Sequence, residues 1–492
     1  MKLNFQNYKD KVKACWIGKN IGGTMGYPYE GLRQTNDIKG FATKPGEGLP
    51  NDDLDLQLVW LLALETIGPM AINAQNLGEF WLSYITPHWN EYGLAKINMK
   101  RGLVPPLSGD YENHWKNSNG AWIRTEIWAC VAPGSPAVAA KYALEDGKVD
   151  HGSGEGTYAA AFVASMQSAA FVLSDIRKCV EIGLASIPAS CRMGQSIVHL
   201  LKCYDKGMTA METRNSILAL NADIGDGWFE APSNVSYAVI GLLYGGGDFK
   251  KSMITAINCG DDTDCTAATV GATLGIMYGM EGIPKDWSEY IGDDIITISI
   301  ARGGHGRQLP STCTQLTERV VKLAPHVLYY NRSMLDIEIT EKEETLIPEN
   351  IIEQMLKSAE LTRRVTEELV PYTMTYESLL FRASITLDRA PHITGEGEIG
   401  VQVEVTNLCI DNEPYNISLR WILPEGFTVL GGKQALLLDE YSIHLGEGNS
   451  PKVQTNVIIK AGEKVSVINR VVLEIIAEGR VTSMYIPITL LG

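Results

Sequence analysis

No two of the nine cysteines are separated by two residues, their number is odd and their spacing is irregular. That argues against a disulfide framework and against a structural zinc site. Most of the cysteines fall within apolar helical stretches and read as small buried residues. Basic residues are scarce: 42 Lys and Arg stand against 58 Asp and Glu, for a formal net charge of -16. A chain this acidic does not hold a phosphate backbone by broad electrostatics, so nucleic acid is not expected as a partner. An anionic small molecule stays compatible where metal ions or helix N-termini offset the repulsion. No run of about 18 apolar residues occurs, so no membrane-spanning helix is expected. The stretch Met1–Asp10 is polar and lacks the apolar core of a secretory signal; the expected location is cytoplasmic. There is no internal repeat and no low-complexity tract. The sequence does not indicate an oligomeric state.

What is present is an ordinary globular composition, 45% hydrophobic and 20% charged, over 492 residues. That length suggests at least two domains. Residues 1 to about 365 read as helical. Leu54, Leu58, Leu61, Leu62 and Glu65 follow a helical stripe behind a polar start. Ala159 to Phe171 and Ala267 to Tyr278 read as buried helices. Gly271 and Gly275 in the second permit close helix packing. Ile351 to Leu369 reads as a charged amphipathic helix. Beyond it the period changes to two, as in Glu398 to Val405. Further strands are expected at Ser418 to Leu423, Thr428 to Leu430, Val453 to Ile459, Val465 to Ile475 and Thr482 to Leu490. Turns fall at Pro424-Glu425-Gly426 and Ala461-Gly462-Glu463. The expected architecture is a mainly α chain: a helical domain over 1–368, then an antiparallel β-sandwich over 374–492. No chemical constellation is visible in the β part. The segment from about Tyr92 to Asn119, with Pro105, Pro106, Gly109 and Gly120, reads as a long irregular loop. Tyr111, Asn113, His114 and Trp115 make it a candidate substrate-side loop.

Two acidic clusters carry the chemistry. Asn51-Asp52-Asp53-Leu54-Asp55 and Gly260-Asp261-Asp262-Thr263-Asp264-Cys265 each lie where an apolar helix begins. A single N-cap accounts for one acidic residue at such a place, not for three in four positions. Asp262 and Asp264 converge only in the turn before the helix or in its first turn, since residues two apart diverge on a continuous helix. Brought together, the clusters place at least four carboxylates in one small volume, and such a group calls for counter-charge. Apart from Cys265 the ligands are oxygen, which favours magnesium, manganese or calcium over zinc or copper.

These two clusters resemble the paired metal motifs of the ADP-ribosylglycohydrolase family, which includes the enzyme that reactivates dinitrogenase reductase. The likeness extends over roughly residues 10 to 300. Cys15-Trp16-Ile17-Gly18 to Tyr27-Pro28-Tyr29-Glu30-Gly31 is similar to the family's glycine-rich first helix and trailing glutamate. Asn119-Gly120-Ala121-Trp122-Ile123-Arg124 is similar to its substrate loop. Asp150-His151-Gly152, followed by Gly154-Glu155-Gly156, is similar to its histidine segment. Gly260 to Gly275, with Gly282-Ile283-Pro284 and Trp287, is similar to its final motif and exit. The β domain lies outside the resemblance.

The resemblance implies an orthogonal all-helical catalytic domain and two divalent cations, magnesium or manganese. It implies Asp52, Asp53, Asp262 and Asp264 as metal ligands. Asn51 and Cys265 take the places of two ligand threonines. A thiol is a poorer partner than a hydroxyl for a hard ion, which puts one of the two metal positions in question. Asp55 is near enough in sequence to add a carboxylate. Glu30 and Asp53 are the implied catalytic residues. Asn119, Gly120 and His151 are the implied substrate contacts, and Tyr111, with Trp115, is the nominated aromatic. Asp223, Asp226 and Trp228 lie in a glycine-broken loop placed near the cleft. The implied activity is metal-assisted hydrolysis of a glycosidic bond in an ADP-ribosyl or related ribosyl conjugate, small or protein-linked. The alternatives are a same-fold hydrolase of another furanoside or nucleoside, or a non-catalytic sugar- or nucleotide-binding protein.

Overall fold

A computed structural model describes residues 1–225, 229–301, 309–332, 335–365, 369–408, 413–440 and 450–492. The chain forms two compact units. The first comprises Met1–Gly93 and His114–Glu368, and the second Leu94–Asn113 and Leu369–Gly492.

The first unit is helical, and its centre is a pair of buried helices. One is Phe5–Gly26, which starts at Asn4, whose side chain accepts from the amides of Gln6 and Asn7. The other is Thr263–Tyr278, buried at every residue from Thr263 to Met277. A helix buried on all sides shows no amphipathic stripe, which is why this one reads as uniformly apolar in sequence. The two run antiparallel at backbone contact. A Cβ on Gly18 would fall within 3.0 Å of the Gly271 carbonyl, and one on Gly22 within 3.0 Å of the Ala267 backbone. Gly271 and Gly275 face Gly18 and Ala14 in the same way, so the close packing expected of this glycine pair is present. The close approach sets the C-terminal end of the first helix beside the N-terminal end of the second. A third buried helix, Asp52–Ile67, begins at Asn51, whose side chain accepts from the Asp53 amide. The amphipathic helix near residue 351 is found at Ile351–Val365. A short parallel pair joins Lys2–Asn4 to Glu338–Thr340.

The second unit is a sandwich of two antiparallel sheets around one core. The five-stranded sheet runs in the order Thr373–Glu377, Phe381–Leu387, Glu398–Asn407, Lys452–Lys460, Thr428–Leu430. The four-stranded sheet runs Ser483–Leu491, Ile468–Ala477, Tyr415–Ile422, Ala435–Leu438. Alternation places one face inward, as in Phe381–Leu387, where every second residue is buried. Three strands, Thr373–Glu377, Phe381–Leu387 and Ala435–Leu438, were not anticipated.

The segment from Tyr92 to Asn119 is not a single irregular loop. A helix covers Asn90–Lys100 and a short one Leu107–Asp110. Residues 94–113 belong to the second unit, where Leu103, Leu107 and Tyr111 join the sandwich core. The partition at 368 and 374 expected from composition lacks this excursion, because it breaks the order of the chain.

Candidate metal and substrate site

The backbone fixes the carboxylates before the side chains meet. Gly260 and Asp261 both lie in the left-handed region, at φ 79 and 67. Gly260 also lies where a Cβ would meet the Gln34 carbonyl, so only glycine fits there. The Asp261 amide donates to the Leu32 carbonyl at 2.7 Å, and the Gly31 amide to the Asp261 carbonyl at 2.8 Å. This bridge ties the Glu30 loop to the turn that carries Asp262 and Asp264. The Thr263 hydroxyl donates to the Gly26 carbonyl at 2.8 Å, locking the same junction.

Asp262 occupies the cap position of its helix, yet its side chain makes no capping bond. Capping therefore does not account for it. With Asp264 and Glu30 it forms a group whose ligand oxygens lie within 4.8 Å of one another. Asp262 Oδ2 accepts from Asn119 Nδ2 at 2.6 Å, and Asn119 Oδ1 accepts from the Trp122 indole at 2.8 Å. Oδ1 of Asp262 and Oδ1 of Asp264 are buried and have no hydrogen-bond donor. Buried acceptors without donors are uncommon and call for an explanation. Two carboxylates with donorless oxygens, with Glu30 beside them on one cavity, fit a hard divalent cation.

A second group, Asp53, Asp264 and Cys265, also falls within 4.8 Å. Here the fit is poor. Cys265 Sγ donates to Asp53 Oδ1 at 3.3 Å, so the thiol acts as a proton donor. Burial, then the surrounding aspartates, holds that thiol well above its ordinary range. Lys19 places its ammonium 3.6 Å from Asp53 Oδ2.

The cavity at these residues measures about 290 Å³. Glu30, Asp52, Asp262, Asp264, Cys265, Asn119 and Gly120 line it; Asn51, Asp53, His151 and Tyr111 do not. Asn51 is the N-cap of its helix, with its oxygen 2.8 Å from the Asp53 amide. Asp52 accepts from the Tyr92 hydroxyl at 2.9 Å. Asp55 turns elsewhere: its Oδ2 accepts from the amides of Ile298 and Ser299 at 2.6 and 2.7 Å. It holds that loop and is no member of either ligand group. The Gly120 carbonyl accepts from Arg124, whose guanidinium is buried between Asp146 and Asp150, 2.8 Å from each. His151 stands one residue behind the cavity wall. Its Nε2 lies 3.3 Å from the hydroxyl of Ser118, which does line the cavity, and its Nδ1 lies 2.9 Å from Asp150. Tyr111 is packed in the sandwich core. Trp115 packs against His114 and does not line the cavity. Asp223 pairs with Arg192 at 2.7 Å and is likewise absent from the lining. Asp226 and Trp228 lie outside the described residues.

Proton affinities follow from burial and like charge. Glu30 is exposed as a residue, but its carboxyl turns inward. Burial of that carboxyl, with Asp262 and Asp52 adding, raises its pKa to about 8. Burial and neighbouring carboxylates push Asp53 and Asp264 well up, for Asp53 in spite of Lys19. Glu91, in the cavity wall, is raised to about 7, chiefly by burial.

Several lining residues escape a reading of the sequence. Glu91 and Tyr92 begin a helix and look like a solvated start. Trp89, Tyr27 and Phe229 supply the aromatic margin, in place of Tyr111 and Trp115. Lys19 sits among apolar residues of the first helix, and only its isolation there is a signal.

Fold and site define the class: a helical protein with a carboxylate-lined cleft fit for a divalent cation. The model of the ADP-ribosylglycohydrolase family matches residues 4–323, and the chain belongs to that family. A 54-residue stretch, 11% of this chain, is 33% identical to the ADP-ribosylarginine hydrolase Tri1 of Pseudomonas putida (strain GB-1) and spans 15% of that protein. Among solved structures, 66% of this chain aligns with 99% of an ADP-ribosylglycohydrolase-related protein complex, at 18% identity and a TM-score of 0.40. In another alignment, 23% of this chain covers 94% of a FixG-related protein from Vibrio parahaemolyticus, at 12% identity and a TM-score of 0.18. No helix among the described residues is long and apolar enough to cross a membrane.

Proposed function

We propose that this chain hydrolyses the glycosidic bond at the anomeric carbon of a ribosyl conjugate, with a divalent cation, magnesium or manganese, held by Glu30, Asp262 and Asp264. The observation that carries the reading is the pair of buried acceptors, Asp262 Oδ1 and Asp264 Oδ1, with no donor. When bound, such an ion engages sugar hydroxyls and lowers the pKa of a coordinated water. The chain's own residues do the rest. Asn119, held by the Trp122 indole, orients Asp262. Glu30 at the cavity rim holds a proton at neutral pH until a cation or substrate replaces it. Glu91, with a pKa of about 7, is placed to accept or return a proton near pH 7. Positive charge developing at the anomeric carbon is offset by the facing carboxylates.

ADP-ribosylarginine is the first substrate to test, because the matched relative is a hydrolase of that compound. The cavity of about 290 Å³ lies at the small end of ligand sites and suits one sugar ring. That size also favours a second reading, in which the substrate is a simpler furanoside or nucleoside. Release of ADP-ribose from ADP-ribosylarginine should be measured beside a panel of ribosides, with and without chelator, for wild type and Asp262→Ala. Loss of hydrolysis in both chelated enzyme and variant is expected; full activity in both would sink the proposal.

A further inference from the structure

Lys19 lies on the central helix Phe5–Gly26 and is 1% exposed. Its ammonium is 3.1 Å from Glu126 Oε2 and 3.6 Å from Asp53 Oδ2. The arrangement is built, not incidental. Glu126 is itself fully buried and accepts from Gln57 Nε2 at 2.8 Å and Gln167 Nε2 at 3.0 Å. Gln57 Nε2 also reaches the Asp53 carbonyl at 2.9 Å, and Gln57 Oε1 accepts from the Ile127 amide at 2.8 Å. An ammonium is therefore fixed behind Asp53 by buried partners on several helices. Asp53 Oδ1 accepts from the Cys265 thiol at 3.3 Å, while Oδ2, buried and without a hydrogen bond, faces the Lys19 ammonium at 3.6 Å.

The two ligand groups share Asp264, and each includes two buried oxygens without a donor; they differ in the sulfur ligand and in the neighbouring ammonium. Glu30, Asp262 and Asp264 offer three carboxylates that open to the cavity, with two acceptor oxygens lacking donors. Asp53, Asp264 and Cys265 offer two carboxylates, also with two donorless oxygens, and a thiol sulfur, beside the buried Lys19 ammonium. Asp53 is 0% exposed and does not line the cavity. A hard ion prefers oxygen to a thiol, and a second cation beside an ammonium in a dry interior is repelled.

We infer that this chain holds one divalent cation, at Glu30, Asp262 and Asp264, and that the Lys19 ammonium stands in the place of a second. The inference rests on the cation dependence proposed above and fixes its stoichiometry. Lys19 is a positioning residue: its ammonium is ion-paired with Asp53, whose other oxygen accepts from the Cys265 thiol at the start of the second helix.

The test is cation stoichiometry. The chelator-stripped full chain is titrated with Mn²⁺, with bound metal counted by elemental analysis after desalting and the spectrum recorded by electron paramagnetic resonance. One magnetically isolated Mn²⁺ per chain is expected. Two spin-coupled ions in wild type would overturn the inference and leave the hydrolase reading intact. No bound ion would overturn the metal reading itself. Cys265→Thr alone is expected to stay at one ion, because the ammonium remains; two ions there would shift the exclusion from Lys19 to the thiol and overturn the role given to Lys19. Lys19→Met combined with Cys265→Thr is expected to take two ions. If loss of the ammonium unfolds that variant, adding Glu126→Gln removes both partners of the buried pair together. A folded variant of either kind that still binds one ion overturns the assignment.

Discussion

Asn119 decides how Asp262 points. Its amide donates at 2.6 Å to one oxygen of Asp262, and its own oxygen is pinned by Trp122. The other oxygen of Asp262 is left for a cation. Groups that orient a ligand in this way commonly contribute about 10–100-fold in metal affinity or activity. Asn119→Ala is expected to weaken Mn²⁺ binding and kcat/KM by about that factor with the fold retained. Asn119→Asp should be worse, because it sets a fourth carboxylate against Asp262. Equal Mn²⁺ affinity in all three proteins would remove Asn119 from this role. Residues of this kind mark how far the sequence could be read. Asp262 and Asp264 stood out because their number exceeds what capping needs, and Asn119 because its surroundings resemble a family motif. Lys19 and Glu91 did not stand out. Their significance lies in partners distant along the chain, Asp53 and Glu126 for one, Ser118 and His151 for the other. Tyr111 reads as a substrate contact on its chemistry alone, because its packing with Leu103 and Leu107 in the sandwich core is not legible locally.

The helix pair is the element that brings the clusters together. Backbone contact between Phe5–Gly26 and Thr263–Tyr278 depends on glycine at each crossing. Gly271→Ala puts a methyl group against the Gly18 carbonyl, where backbone must shift. Overpacking of this sort costs about 1–3 kcal/mol. Urea unfolding should show that loss, and Mn²⁺ affinity should fall with it, because separating the helices draws Asp264 away from Glu30. Gly40→Ala is the control, since nothing lies within 4 Å of its added Cβ. Its stability should stay within about 0.5 kcal/mol of wild type. A Gly271→Ala protein as stable as the control would show that the contact is not needed. The spacing of Gly271 and Gly275 made this contact legible in sequence, because small residues four apart face one side of a helix. The course of residues 94–113 was not legible. Prolines and glycine there signal broken structure, while the strands they join come more than two hundred residues later.

At the scale of the whole molecule, the acidic excess becomes a dependence of stability on pH. Burial raises Glu30 to about 8, and Asp55 and Glu91 to about 7 each. In the unfolded chain these groups titrate near 4. Between those limits the folded state binds protons that the unfolded state has released. Stability conferred by the protonated forms is complete below about pH 4 and is lost as pH rises through the folded values. Each fully buried group contributes a slope of at most about 1.4 kcal/mol per pH unit, and Glu30, at the cavity rim, contributes less. Chelated protein is therefore expected to melt at progressively lower temperature from pH 5 to pH 8. Manganese reverses the sign for the groups it binds, because it favours their ionised form. With Mn²⁺ in excess the decline should flatten, and the stabilisation by metal should grow with pH. Thermal unfolding at pH 5, 6, 7 and 8, with chelator or with Mn²⁺, measures both. A melting temperature that rises with pH in chelator would mean that these carboxyls are charged and paired in the folded protein, and that the cluster has another counter-charge besides Lys19.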